Sequence, residues 1–166
     1  MALEAYLSLT GQKQGPIKGS ITQKGLEGSI GIIAAQHGIV SPRDPQSGLP
    51  TGQRMHKPFV LTKEIDRSTP LLYNVLVTNE NISHWELKCF TSQGATPSGA
   101  GTVVQFYTVR LTNANIASIE FTMPNMRNPD LSRLADYEQL AFTYQKIEWV
   151  WTDGGVTASD DWEARV

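Results

Sequence analysis

Apolar and polar residues alternate with period two along most of this chain, the spacing that gives a strand one dry and one wet face. Ala5, Leu7 and Leu9 oppose Glu4, Tyr6, Ser8 and Thr10; Trp85, Leu87 and Cys89 oppose His84, Glu86 and Lys88; Ile119, Phe121 and Met123 oppose Ser118, Glu120 and Thr122. Further strands are predicted over 17–22, 29–40, 57–66, 103–112 and 140–151. In the last of these the parity slips, because Leu140, Phe142 and Tyr144 lie on one parity and Ile147, Trp149 and Trp151 on the other. A bulge at Gln145-Lys146, or a strand bending from one sheet into another, accounts for the slip. The pattern predicts a mainly β fold: a small antiparallel β-barrel of two sheets.

Two segments break the alternation. One flanking α-helix is predicted from about Pro70 to Asn79. Ser68 or Thr69 is its N-cap, Pro70 takes the first helical position where a missing N–H costs nothing, and Leu71, Leu72, Val75 and Leu76 form its apolar face. From Ser41 to Arg54, Pro42, Pro45 and Pro50 withhold amide donors while Gly48 and Gly52 permit positive φ, which predicts a long protruding loop without helix or ladder. Connections beyond about 12–15 residues tend to carry function. Prolines also lower the entropy lost when such a loop docks. A second loop of Gly, Ser and Pro is expected from Ser92 to Gly101. The tail after Thr152, with Asp153, Asp160, Asp161 and Glu163, is expected to be polar and loosely structured, anchored at Trp162.

The chain has 166 residues with no internal repeat or linker, so one domain spanning 1–166 is expected. Cys89 is its only cysteine, which excludes an intramolecular disulfide or a multi-cysteine zinc site. The formal charge is −2 with scattered Lys and Arg, which argues against a nucleic-acid partner. The N-terminal residues lack a basic leader with an apolar core, and no apolar run approaches the ~20 residues of a membrane span. A cytoplasmic protein without membrane insertion is expected.

No catalytic, metal or cofactor constellation emerges. No Gly-x-Ser-x-Gly elbow or His-Glu-x-x-His motif is present, and His37, His56 and His84 fall on separate predicted elements. His56, beside Lys57, is expected at the surface as the foot of a loop, His84 on a polar strand face, and Cys89 in the core. Trp149, Trp151 and Trp162 are read as packing residues rather than a ligand cage.

Three blocks, SGLPTGQRMHKPFVLTKEIDRSTPLLYNVL, YTVRLTNANIASIEFTMP and FTYQKIEWVWTDGGVTASDDW, closely resemble the haemolysin-coregulated protein (Hcp) family, the tail-tube subunit of bacterial type VI secretion. The likeness runs from Tyr6 to Trp162. It implies a structural protein rather than an enzyme, with no cofactor. It also implies homohexameric rings that stack into a tube, sheath and spike partners, small effector proteins in the ring lumen, and export without a signal peptide. On this resemblance Arg43, Asp44, Gln46 and Arg54 are candidate ring or stacking contacts, and Ala35 and Gln36 candidate lumen or cargo contacts. The competing reading is a monomeric β-barrel holding a small ligand, which requires a hollow interior. Leu, Ile, Phe and Trp on the dry faces argue for a filled one.

Overall fold

The computed structural model describes residues 2–92 and 103–162. In chain order the elements are β1 (Ala2–Gly11), β2 (Gly15–Ile17), β3 (Ile30–Ile32), β4 (Ala34–Gln36), β5 (Ile39–Val40), β6 (Met55–His56), β7 (Phe59–Glu64), α1 (Thr69–Val77), β8 (Ile82–Ser92), β9 (Val103–Thr112), β10 (Asn115–Thr122), β11 (Tyr137–Thr143), β12 (Lys146–Trp151) and β13 (Val156–Asp161). The larger sheet runs β13-β12-β9-β8-β1-β2, with β3 also paired to β1; the smaller runs β10-β11-β7-β4; β5 and β6 form a separate ribbon. The expected mainly β, antiparallel, two-sheet fold with one helix is what forms. Most of the predicted loop at Ser92 to Gly101 lies outside the described residues, as does Glu163.

The parity slip after Tyr144 marks a change of sheet. β11 pairs with β7 and β10 in the smaller sheet, and β12 pairs with β9 and β13 in the larger. Of the two sequence readings, the bending strand holds. A second change of sheet divides the predicted 29–40 strand into three: β3 pairs with β1, β4 with β7, and the Ile33 amide donates to the Thr62 carbonyl at 2.9 Å in the corner. A strand that switches sheets must leave one ladder before joining the other, so it cannot remain continuous.

One apolar core lies between the sheets. The larger sheet contributes Leu7, Leu9, Trp85, Leu87 and Ile147, and the smaller contributes Phe59, Leu61, Leu140 and Phe142. Trp85 meets Phe59 and Phe142 edge-on, with centroids 5.2 and 5.6 Å away, a favourable aromatic geometry. Large side chains therefore fill the interior, against the hollow-barrel alternative.

α1 lies against β10, with Leu72 and Val75 buried and Leu76 partly so. Leu71, expected on the dry face, is exposed. The helix ends at Val77, two residues before the expected Asn79, which takes a left-handed φ of 51°. Pro70 does occupy the first turn, but the Ser68 hydroxyl bonds to Asp66 rather than capping the helix. Below the helix start, Lys63 of β7 is fully buried, its Nζ 2.6 Å from Glu138 Oε1, 3.0 Å from Asp66 Oδ1 and 3.1 Å from Thr69 Oγ1. This ion pair ties the first helical residue to two adjacent strands.

Four more expectations need correction. The 17–22 strand is instead β2 at Gly15–Ile17, after which the chain turns through Gly25 and Gly28, both at positive φ. The tail is not loose: Val156–Asp161 forms β13 on β12, held by ladder hydrogen bonds although its first four side chains are exposed. Tyr6, on the polar parity, is buried against Phe90 with its hydroxyl donating to Gln23. Cys89 is only half-buried, packed at the margin of the core, and burial pushes its thiol pKa up.

Candidate assembly surface

The long loop is a hairpin continuing the β5–β6 ribbon, in which Ile39 faces His56 and Val40 faces Met55. A bridge between Arg43 and Pro50 and a Thr51 amide bond to the Pro42 carbonyl extend the pairing, so a fragment of ladder survives where none was expected. Proline withholds a donor but still accepts. At the tip Asp44 Oδ1 accepts from the Gln46 amide at 2.8 Å, Gly48 donates to the Asp44 carbonyl, and Leu49 donates to the Ser47 hydroxyl. The Gln46 amide holds the Asp44 carboxyl below its ordinary value. Arg43 reaches the Gly48 carbonyl at 3.5 Å and stays exposed, as does Gln46.

Arg54 takes a different position from its three companions. Its Nε lies 2.5 Å from Asp160 Oδ2 and its NH2 group donates to the Asp161 carbonyl at 2.7 Å, so the guanidinium pins the loop's foot to β13. Beside it is a cluster that sequence reasoning missed. His56 is buried rather than at the surface, with Nδ1 2.6 Å from the Tyr144 hydroxyl and Nε2 2.7 Å from Asp160 Oδ2. His37 Nε2 lies 2.7 Å from the same hydroxyl, and its ring stacks on Phe59. Trp162 packs edge-on to His56, which is the anchoring role expected of it. Burial first, then the Asp160 charge, push Tyr144 up to about 12; Arg54 foremost holds Asp160 down; burial and His56 depress His37. The partners lie 88 and 104 residues apart along the chain, so no local pattern reveals them.

Ala35 and Gln36 lie on β4, exposed, and help line a shallow hollow of about 260 Å³ with Ala34, Val60, Thr62 and Gln139. Gln36 pairs with Val60 and shares the outer face of the smaller sheet, whereas Ala35 pairs with Leu61 and turns the other way at the sheet margin. That outer face continues through Thr62, Gln139, Ala141 and Ser118, small and uncharged residues, with carboxylates at Glu120 and Glu64. The larger sheet is different outside: Arg110 bridges Glu86 at 2.7 Å and Glu148 at 2.8 Å across three strands.

Each sheet also ends in an exposed apolar margin. On β10 and the segment after it, Phe121, Met123 and Met126 are exposed, although alternation placed Phe121 and Met123 on a dry face. The parity is right for Phe121, which sits opposite the buried Glu138, but on this edge strand Phe121 itself is exposed. On the other margin Trp151 of β12 and Val156 of β13 sit side by side in register and are exposed, so Trp151 packs less than expected. Exposed aromatic and methionine clusters of this kind mark protein contacts.

Among the described residues no helix is long and apolar enough to cross a membrane. A two-sheet fold with a structured, exposed hairpin and separate exposed apolar margins offers surfaces for contact with other proteins. The sequence model described as "Type VI secretion system effector, Hcp" matches residues 6–151. The chain is 38% identical to the "Major exported protein" of Pseudomonas aeruginosa, over 100% of this chain and 99% of that one. Its structure is similar to one titled "Crystal structure of Hcp protein", with TM-score 0.86, 33% identity and coverage of 98% and 99% of the two chains. It is also similar to the Hcp1 protein of the E. coli EAEC 042 pathovar, with TM-score 0.82, 32% identity and coverage of 96% and 99%. The chain therefore belongs to the Hcp family of type VI secretion proteins, a structural and secreted family.

Proposed function

We propose that this chain, acting as one domain, is a tail-tube subunit that closes into a homohexameric ring and stacks ring upon ring. The observation that carries the reading is the pair of unlike apolar margins. A head-to-tail interface needs two different complementary patches on each copy, and it closes into a ring when the rotation permits. The β10 margin, with Phe121 and Met123, meets the β13 margin, with Trp151 and Val156, of the next copy. The hairpin tip, through Arg43, Asp44 and Gln46, docks on the adjacent ring, while Arg54 orients it from below. The small-residue face around Gln36, with Ala35 at its rim, lines the channel and touches small effector proteins in transit.

The working partners are then other copies of this chain, the sheath around the tube, the spike at its tip and the cargo within. Export of the subunit itself, to the extracellular space or a target cell, is supported by the exported relative of Pseudomonas aeruginosa. The role is mechanical and needs no catalytic group. Light scattering on the purified protein over a range of concentrations tests the ring: a species near six times the 18.3 kDa subunit is expected, and a monomer at every concentration overturns the reading.

A further inference from the structure

The side chains at the loop's foot form one continuous hydrogen-bonded chain: His37, Tyr144, His56, Asp160 and Arg54. Its donors and acceptors can be assigned from chemistry alone. Asp160, an ionised carboxylate, only accepts, so His56 Nε2 carries a proton and Arg54 Nε donates alongside it. With His56 neutral, Nδ1 has a lone pair, the Tyr144 hydroxyl donates to it, and His37 Nε2–H donates to the Tyr144 oxygen. Every link is made.

One added proton is accommodated by reversing direction. If His56 is protonated at Nδ1, it donates to the Tyr144 oxygen, the hydroxyl turns to His37 Nε2, and His37 moves its own proton to Nδ1. Every link is again made, and the new charge faces Asp160. A second proton has no such solution. With both imidazoles charged, His56 Nδ1–H and His37 Nε2–H both point at one hydroxyl oxygen, whose own hydrogen is left without an acceptor. Two like charges then flank a buried phenol that remains un-ionised throughout.

We propose that this chain is a proton-counting latch on the hairpin: it holds with no proton or one proton shared by the His37–His56 pair, and opens on the second. Resting on the reading of the hairpin as a stacking contact, this makes ring-to-ring attachment sensitive to mild acid while the two-sheet core stays folded. The charged and titratable groups facing the pair are Asp160 and Asp161 from β13, Arg54 from the loop, Tyr144 from the corner between β11 and β12, and Lys57, whose stem passes Gly38. From β7 comes the neutral ring of Phe59. Only the two imidazoles in this group have ordinary values inside the window between pH 5 and 8. The depression of His37 agrees with a second proton that enters against resistance.

The test is amide hydrogen exchange of the 39–56 segment in the full-length protein from about pH 7.5 to about 5, corrected for intrinsic rates, with assembly followed in the same samples. The expected result is that protection of the Asp44, Gly48 and Thr51 amides falls by about tenfold per pH unit once the second proton binds, the slope of one linked proton, while β8 and β11 stay protected. His37→Gln supplies a side-chain amide that can donate to or accept from the Tyr144 hydroxyl and removes the second titrating site, so its loop protection stays level over the same range. Tyr144→Phe removes the shared hydroxyl and gives a loop with lowered, pH-independent protection. Wild-type protection that does not change with pH overturns the latch, as does a His37→Gln profile that follows the wild type. If the loop opens and assembly persists, the latch stands and the stacking role of the loop falls.

Discussion

The two sheets handle charge in opposite ways. The larger sheet keeps its inner face apolar and sets Glu86, Arg110 and Glu148 in a row on its outer face. The smaller sheet has a mostly uncharged outer face and places its ion pair, Lys63 with Glu138, on the inner side beneath α1. Both pairs link residues directly opposite on neighbouring strands, yet their energetics differ. Exposed pairs are screened and typically contribute about 0–1 kcal/mol, whereas removing one partner of a buried pair costs about 3–5 kcal/mol. Charge stands outside where a sheet needs only solubility and register. It is buried where a helix must be held, and that leaves the outer face of the smaller sheet free to be smooth.

The sharpest way to break this contrast is Glu138→Leu, which leaves the Lys63 ammonium facing only Asp66 and neutral acceptors. Urea unfolding should show a loss of about 3–5 kcal/mol. Adding Lys63→Met should restore most of that loss, since among the described residues Glu138 Oε2 has no hydrogen-bond partner to lose. Recovery stays incomplete because Asp66 and Thr69 both lose the Nζ contact.

Phe121→Glu puts a charge on an apolar margin instead. Stability should change by less than about 0.5 kcal/mol, as for other exposed sites, while the native mass, expected to be that of the proposed ring in the wild type, should fall to that of a monomer. On the larger sheet Arg110→Ala should cost at most about 1 kcal/mol, shrinking further in 1 M salt. The same row sets a pH response. Burial pushes the Glu86 carboxyl up, but the Arg110 hydrogen bond and Lys88 outweigh it and hold it below its ordinary value of 4.5. Its stabilisation is therefore complete above that value and is lost as pH falls through the lowered one, and acid unfolding of Arg110→Ala should lack this component. Smallest of all is Gln36→Glu on the smooth face: stability within about 0.5 kcal/mol of wild type, with any change confined to cargo retention.

Alternation in the sequence recovers the long strands because a half-buried ladder demands it, and the slip after Tyr144 reveals a change of sheet. The corner at Ile33 stays hidden, since Ile30, Ile32, Ile33 and Ala34 offer no parity to slip. Val156–Asp161 reads as a tail because an exposed edge strand is held by its backbone, about which side-chain polarity says nothing. Phe121 and Met123 fail in the reverse sense: alternation tells which way a side chain points and not whether anything lies above it. At the loop's foot, His56 looks like a surface residue beside Lys57, because burial there is conferred by Tyr144, Asp160 and Trp162 from a distant stretch of chain.

The position of β1 has a consequence for synthesis. Strand β1 lies inside the larger sheet, with β2 and β3 along one edge and β8, made much later, along the other, Leu7 opposite Leu87. At ~5–20 residues per second, Leu7 waits roughly 4 to 16 seconds for Leu87 to be added, with an apolar face and an unpaired edge exposed meanwhile. The central ladder is therefore completed late, and slow translation or high temperature should divert the chain into aggregates before the larger sheet closes.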